Sequence, residues 1–205
     1  MRTFIIGYGS LLKKSSLNRT LPLVKDVEPI YLNNYIRSWN ALEDQTVSYA
    51  TTYLGIEKII GARTNVIIFE VEQSFLPMLD KREFLYDRVQ VDLSDVEFLK
   101  NRFKITSDDE IWIYVTSNPQ KPTKDAPIIQ SYVDVCVSGC LELEEQFKIK
   151  DFAQDFILQT TNWSTNWVND RIFPRAPHIH QPFAYAIDKL LFATISEYYK
   201  SITIE

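Results

Sequence analysis

Thr3-Phe4-Ile5-Ile6-Gly7-Tyr8-Gly9-Ser10-Leu11 is the stretch from which the rest of the chain is best read. Thr3 to Tyr8 is apolar and rich in β-branched residues, and it ends at glycine, so it predicts a buried strand that stops in a turn. Gly7 and Gly9 let the backbone come close to a ligand. Successive backbone N–H groups in such a turn can form an anion-binding nest without any basic side chain. Taken alone, the segment is better explained as a tight strand-to-helix turn. It is neither a dinucleotide fingerprint nor a P-loop, because no third glycine follows at the required place and no Gly-Lys-Ser/Thr is present.

Working outward, Ile30–Leu42 and Val47–Leu54 read as strands, and Val66–Val71 is the clearest strand of all. It is continuously apolar, as expected of a central strand. Ser74–Arg82 changes to helical spacing, with Ser74 and Pro77 as start signals, and predicts a short helix ending near Glu83. Asp87–Leu93 alternates, and Ile111–Val115 is a further strand carrying Trp112 and Tyr114. Asn118–Pro127, with three prolines, predicts a loop. Beyond it Ile128–Glu145, Lys150–Thr160 and Pro182–Tyr199 read as helices, with Arg171–Pro182 a loop between the last two. Strands first and helices second predict an α+β domain rather than alternating βαβ units.

The 205 residues suit a single domain, 1–205, with a real core. Lys and Arg number 22 against 27 Asp and Glu, a net charge of −5, and no dense basic run is visible, which argues against a nucleic-acid partner. The first residues do not read as a signal peptide, and no stretch reaches membrane-spanning length, so the expected setting is cytoplasmic with no membrane partner. Cys136 and Cys140 are too few for a disulfide scaffold. They lie four apart on one helix face and read as buried hydrophobes. With only His178 and His180 in a proline-containing loop, no metal site is expected.

Asp80-Lys81-Arg82-Glu83 alone is a charged helix end. It gains interest because it follows the clearest buried strand and precedes Tyr86 by three residues. A carboxylate held against aromatic rings is partly desolvated, which raises its pKa toward the range of general acid/base work. The order of elements is then informative. A strand closes in Tyr8-Gly9-Ser10-Leu11, and a buried strand follows. Next come Leu79-Asp80 and Glu83 with Tyr86, the strand Ile111-Trp112-Ile113-Tyr114-Val115, then Ala126-Pro127 and Ser131-Tyr132 opening a helix. This order resembles the γ-glutamylcyclotransferase superfamily over roughly residues 3–144.

The resemblance implies a small, closed, mostly antiparallel β-barrel with flanking helices over residues 1–145, and a helical C-terminal extension over 146–205 packed on it. It implies that Gly7, Tyr8, Gly9, Ser10 and Leu11 hold the α-carboxylate of a γ-glutamyl compound through backbone N–H groups. Glu83 becomes the general acid/base, and Tyr86, Tyr114 and Tyr132 line the pocket. The implied reaction is attack of the substrate's α-amine on its own γ-carbonyl, releasing 5-oxoproline and an amine or amino acid, with no cofactor. Leu85 stands where the glutathione-degrading branch commonly has glycine, which argues against glutathione itself. The leaving group and the oligomeric state stay open, a homodimer among the options.

Two other functions compete. A non-catalytic binding or interaction protein could retain the same barrel and pocket. A hydrolase or acyltransferase using Ser10 is the third, weakened by the absence of a Gly-x-Ser-x-Gly elbow. Trp39, Trp112, Trp163 and Trp167 read as core or interface residues.

Overall fold

The computed structural model describes residues 1–43, 50–175 and 183–204. The first strand, β1 (Thr3–Gly7), is buried at all five positions. The reason is its place in the sheet: it lies between β3 (Thr51–Val71), antiparallel, and β6 (Glu110–Thr116), parallel. A strand covered on both faces reads as a continuous apolar run. The ladder with β3 ends at Gly7, opposite Ile67, so Tyr8 and Gly9 leave the sheet at that point.

The full order is β4 (Tyr86–Gln90), β6, β1, β3, β2 (Glu28–Glu43), β5 (Val96–Phe98), with β8 (Thr160–Thr161) pairing alongside the other half of β2. Four of the six strand pairs are antiparallel, in keeping with the α+β expectation. The expected closed barrel is corrected. Among the described residues the order has two ends, β4 and β5, and no pairing joins them. Closure needs an unbroken ladder around the sheet. Here the end strands hold five and three residues, and Asp87 and Glu97 on them are exposed charges of the kind that discourages further pairing.

Two segments that read as separate strands, 47–54 and 66–71, belong in part to one long element. β3 runs from Thr51 to Val71, and residues 47–49 lie outside the described residues. Its pairing with β2 jumps from Asn33↔Arg63 to Tyr35↔Lys58, so Ile59 to Ala62 bulge out opposite Asn34. Asn34 has φ 63°, Gly61 has φ 85°, and the Gly61 N–H donates to Asn34 Oδ1 at 3.0 Å. Glycine and asparagine are the residues that tolerate this backbone. The exposed Ile59 and Ile60 of the bulge interrupt the buried pattern, which is why the sequence reads as two strands.

The helices follow the expected order with shifted ends. α1 (Lys14–Thr20) was not anticipated, since only Leu17 and Leu21 mark its inner face. α2 (Leu76–Arg82) carries Pro77 in its first turn. Ile128–Ile129 forms a short strand, β7, before α3 (Gln130–Phe147), and α4 is Phe152–Leu158. The single helix expected over 182–199 is two, α5 (Ala184–Thr194) and α6 (Ser196–Tyr199), broken at Ile195. Thr194 bonds its hydroxyl back to the Leu190 carbonyl, and two adjacent β-branched residues weaken the helix there. The C-terminal part is therefore not purely helical. It also supplies β8, β9 (Trp167–Asn169) and β10 (Thr203–Ile204), the last two forming a parallel sheet with β7 in the order β10-β9-β7.

One buried cluster runs from Phe4 through Val133 and Phe156 to Leu191, so the C-terminal helices share the core of the main sheet. Arg37 sits wholly inside it. Its guanidinium donates to Thr160 Oγ1, to the Asn65 carbonyl and side chain, and to the Phe156 carbonyl. Burial lowers its pKa to about 10, leaving it charged at neutral pH and satisfied by neutral acceptors. No described helix is long and apolar enough to cross a membrane.

Candidate active site

Residues 8–12 form the turn on which the site is built. After β1 ends, Ser10–Leu12 makes one turn of 3-10 helix, whose hydrogen bonds begin with Leu12 N–H to Gly9 O at 3.0 Å. The N–H groups of Ser10 and Leu11 precede that first donor and are not used by the turn. Two close approaches hold it in place. A Cβ on Gly9 would meet the Tyr132 hydroxyl at 2.8 Å, and a Cβ on Gly139 of α3 would meet the backbone of Leu12 and Lys13 at 2.6 Å. Helix α3 thus lies directly on the turn, and its first full turn carries Tyr132 over Gly9.

Glu83 caps the C-terminal end of α2. Its N–H donates to the Leu79 carbonyl at 2.8 Å, and its own carbonyl accepts from Tyr86 N–H at 2.9 Å. That turn explains the spacing of three between Glu83 and Tyr86, because it brings β4 back beside the end of the helix. The Glu83 carboxylate lies 3.0 Å from Arg82 Nε. Burial raises its pKa above the ordinary value of 4.5, and Arg82 opposes the rise.

Ile6, Gly7, Tyr8, Gly9, Ser10, Leu11, Leu54, Glu83, Tyr86, Tyr114 and Tyr132 line a single small cavity of about 30 Å³. The structure therefore brings together the residues of the Gly7–Leu11 turn, Glu83 and the three tyrosines Tyr86, Tyr114 and Tyr132. The tyrosines differ in what their hydroxyls do. Tyr8 donates to the Tyr114 carbonyl at 2.7 Å, and Tyr86 donates to the Leu54 carbonyl at 2.8 Å. Tyr114 donates instead to Asp80 at 2.8 Å, so its hydroxyl points to the end of α2 that Arg88 also holds. Tyr132 packs edge-on against Trp39 and Tyr53, with ring centroids 6.0 and 4.8 Å away. Burial raises the pKa of Tyr8, Tyr86 and Tyr132 well above the phenol value, and the nearby Glu83 charge pushes each the same way. All three stay neutral at neutral pH.

Several neighbours of the site escaped the sequence reading. Tyr53 and Leu54 reach it because β3 passes beside the turn, which no local pattern announces. Arg82, read as part of a charged helix end, donates through Nη2 to Ser10 Oγ at 3.3 Å and through Nη1 to Thr20 Oγ1. Among the described residues Ser10 faces Arg82, which cannot serve as a general base. His178 and His180 lie outside the described residues. Cys136 and Cys140 are buried free thiols raised by desolvation, Cys136 to about 12, and behave as core residues.

No family model and no curated protein matches the chain. Solved structures do. One named gamma-glutamyl cyclotransferase superposes with a TM-score of 0.53 at 16% identity, covering 72% of this chain and 86% of that one. An uncharacterised protein from Homo sapiens gives 0.54 at 18% identity, over 71% and 84% of the two chains. This chain has the γ-glutamyl cyclotransferase fold.

Proposed function

We propose that the protein is a γ-glutamylcyclotransferase-like enzyme that converts a γ-glutamyl compound to 5-oxoproline and a free amine. The observation that carries this reading is the meeting of the partly buried Glu83 carboxyl with the Tyr8–Leu11 turn in one cavity. The substrate's α-carboxylate is bound by the N–H groups of Ser10 and Leu11, which the turn does not use. This places the α-amine and γ-carbonyl toward Glu83. The amine is an ammonium at neutral pH. Glu83 takes its proton, the amine attacks the γ-carbonyl, and a five-membered ring closes. Glu83 then gives that proton to the leaving nitrogen as the tetrahedral intermediate collapses, and the second proton on the ring nitrogen passes to solvent, leaving the lactam N–H. Nucleophile and electrophile share one molecule, so much of the rate comes from holding the ring-closing conformer. No step calls for a cofactor.

The test is 5-oxoproline release, measured by mass spectrometry, from the purified protein with γ-glutamyl dipeptides, γ-glutamyl amines and glutathione. Release from at least one supports the reading. Tight binding without product would favour a binding protein that keeps the fold.

The pH profile is a second expectation. Only ionised Glu83 can accept the ammonium proton, so kcat/KM falls as pH drops through the Glu83 pKa. Burial places that limb above the ordinary 4.5. An acid limb at or below 4.5 would assign the proton transfer to another group.

A further inference from the structure

Asp170 and Arg171 come directly after β9 and Asn169, and Gln130-Ser131-Tyr132 comes directly after β7. The two strands pair in parallel, with Ile128 opposite Trp167 and Ile129 opposite Val168. The same register carries on past the ladder and sets Asp170 opposite Ser131. The Ser131 N–H donates to Asp170 Oδ1 at 2.7 Å, and the Ser131 hydroxyl donates to Oδ2 at 2.6 Å. The Arg175 N–H adds a third bond, to Oδ2 at 2.8 Å. Asp170 is 1% exposed. Helix α3 gains no side-chain cap from its own N-cap residue, Ile129. Asp170 caps it instead from the segment after β9. A carboxylate suits that place, because the first N–H groups of a helix lack partners inside it and the dipole favours negative charge there. Arg171 grips the next turn. Its Nε and Nη2 donate to the two oxygens of Asp134 at 2.7 Å each, and its Nη1 donates to Asp188 of α5 at 2.8 Å. Tyr132 lies between the two anchored positions, Ser131 and Asp134. Its hydroxyl stands against Gly9, where a Cβ would meet it at 2.8 Å.

We infer that Asp170 is a positioning residue for the reaction: it fixes the start of α3 and so holds Tyr132 over the turn that binds substrate. The inference rests on the proposed cyclotransferase reading. It gives a part in that reaction to a segment beyond the residues of the sequence resemblance. Asp170 does not line the cavity that holds Glu83, so it acts through Ser131 and Tyr132. The place demands a carboxylate, because all three partners of Asp170 are donors and two of them are main-chain N–H groups that cannot turn round. Asparagine has the same size but one oxygen and one NH2 group. With its oxygen on the Ser131 N–H, its NH2 faces the Arg175 N–H. Turned the other way, its NH2 faces the Ser131 N–H. Either way two donors oppose each other in a buried place, and the start of α3 must shift to relieve them.

The experiment is a double-mutant cycle on 5-oxoproline release, using the γ-glutamyl compound that the parent protein turns over fastest. Asp170→Asn should lower kcat/KM about 10- to 100-fold, because a misplacement near 1 Å in a group that positions substrate costs on the order of 100-fold. Tyr132→Phe should lower kcat/KM as well. Once the Tyr132 hydroxyl is gone, adding Asp170→Asn should cost little more, whereas two independent defects would multiply in full. That non-additivity separates positioning from general damage to the fold. Urea unfolding of each variant shows whether it is folded under the assay conditions. If Asp170→Asn is not, Ser131→Ala takes its place in the same cycle, since it removes the hydroxyl bond to Asp170 and keeps the N–H bond. Full multiplication of the two defects, parent kcat/KM in Tyr132→Phe, or parent kcat/KM in the Asp170 or Ser131 variant overturns this inference and leaves the cyclotransferase reading standing. Absence of product from every compound with the parent protein overturns the reaction and the inference with it.

Discussion

Replacing Glu83 with Gln is expected to reduce 5-oxoproline release by about 10²- to 10⁴-fold, the range that a positioned general acid/base contributes. Gln keeps the size of the side chain but can neither take the ammonium proton nor return it. The loss should fall on kcat, with KM little changed, because the substrate is held by the turn and not by the base. The same variant should be no less stable than the parent at neutral pH. The carboxyl's folded pKa is raised above its unfolded value by burial. Its favourable contribution to folding is therefore present in full below the unfolded pKa and lost as pH rises through the folded one. At neutral pH the ionised group is a cost that Gln removes. Denaturant titration at pH 7 and at pH 4 checks the sign, with the stability gain of the variant largest at the higher pH. Normal turnover in Glu83→Gln would end the assignment.

Gly139→Ala is expected to destabilise the fold by roughly 2 kcal/mol and to damage the site together with it. In an ordinary helix this change is favourable by about 1 kcal/mol. Here the new Cβ would lie 2.6 Å from the carbonyl carbon of Leu12 and the nitrogen of Lys13, and 2.8 Å from the Leu12 oxygen. These are backbone atoms, and no rotamer change can move them aside. Either α3 or the turn at Ser10–Leu12 must shift. A shift of about 1 Å in a group that positions substrate can cost on the order of 100-fold in rate. Urea unfolding and kcat/KM on the same preparation should fall together, and valine should be worse than alanine. An alanine variant as stable and as active as the parent would show that the helix and turn have slack that the close contact denies.

Local chemistry explains which parts of the structure were legible beforehand. β1 and the 66–71 end of β3 announced themselves because both are buried on two faces, and burial writes itself into a short apolar run. The charged ending of α2 and the Tyr86 that follows were readable because the turn joining them is local, closed by Glu83 and Tyr86 through one hydrogen bond. What stayed hidden depends on distant pairing. The bulge at Ile59 to Ala62 exists because of its partner Asn34, twenty-five residues or more away, and the open edges of the sheet depend on which strand finds which. β8, β9 and β10 are two or three residues long, below any periodic signal. Arg19, Arg82 and Arg175 come from α1, α2 and the segment after β9 yet line one cavity with Ser10 and Tyr132, so nothing in their spacing could place them together.

The hydroxyls of Tyr8 and Tyr86 have one further consequence. Each gives its only proton to a main-chain carbonyl, of Tyr114 and Leu54 respectively. What remains on each oxygen is a pair of lone pairs and nothing to donate. Toward the cavity these two phenols are therefore listeners only: they can greet a guest that brings protons and have none to offer one that needs them. A cationic nitrogen meets that requirement and a carboxylate oxygen does not. For the proposed γ-glutamyl substrate these bonds favour one orientation, amine toward the tyrosines and acid toward the turn. A carboxylate entering the other way round would set its lone pairs against those of both phenols.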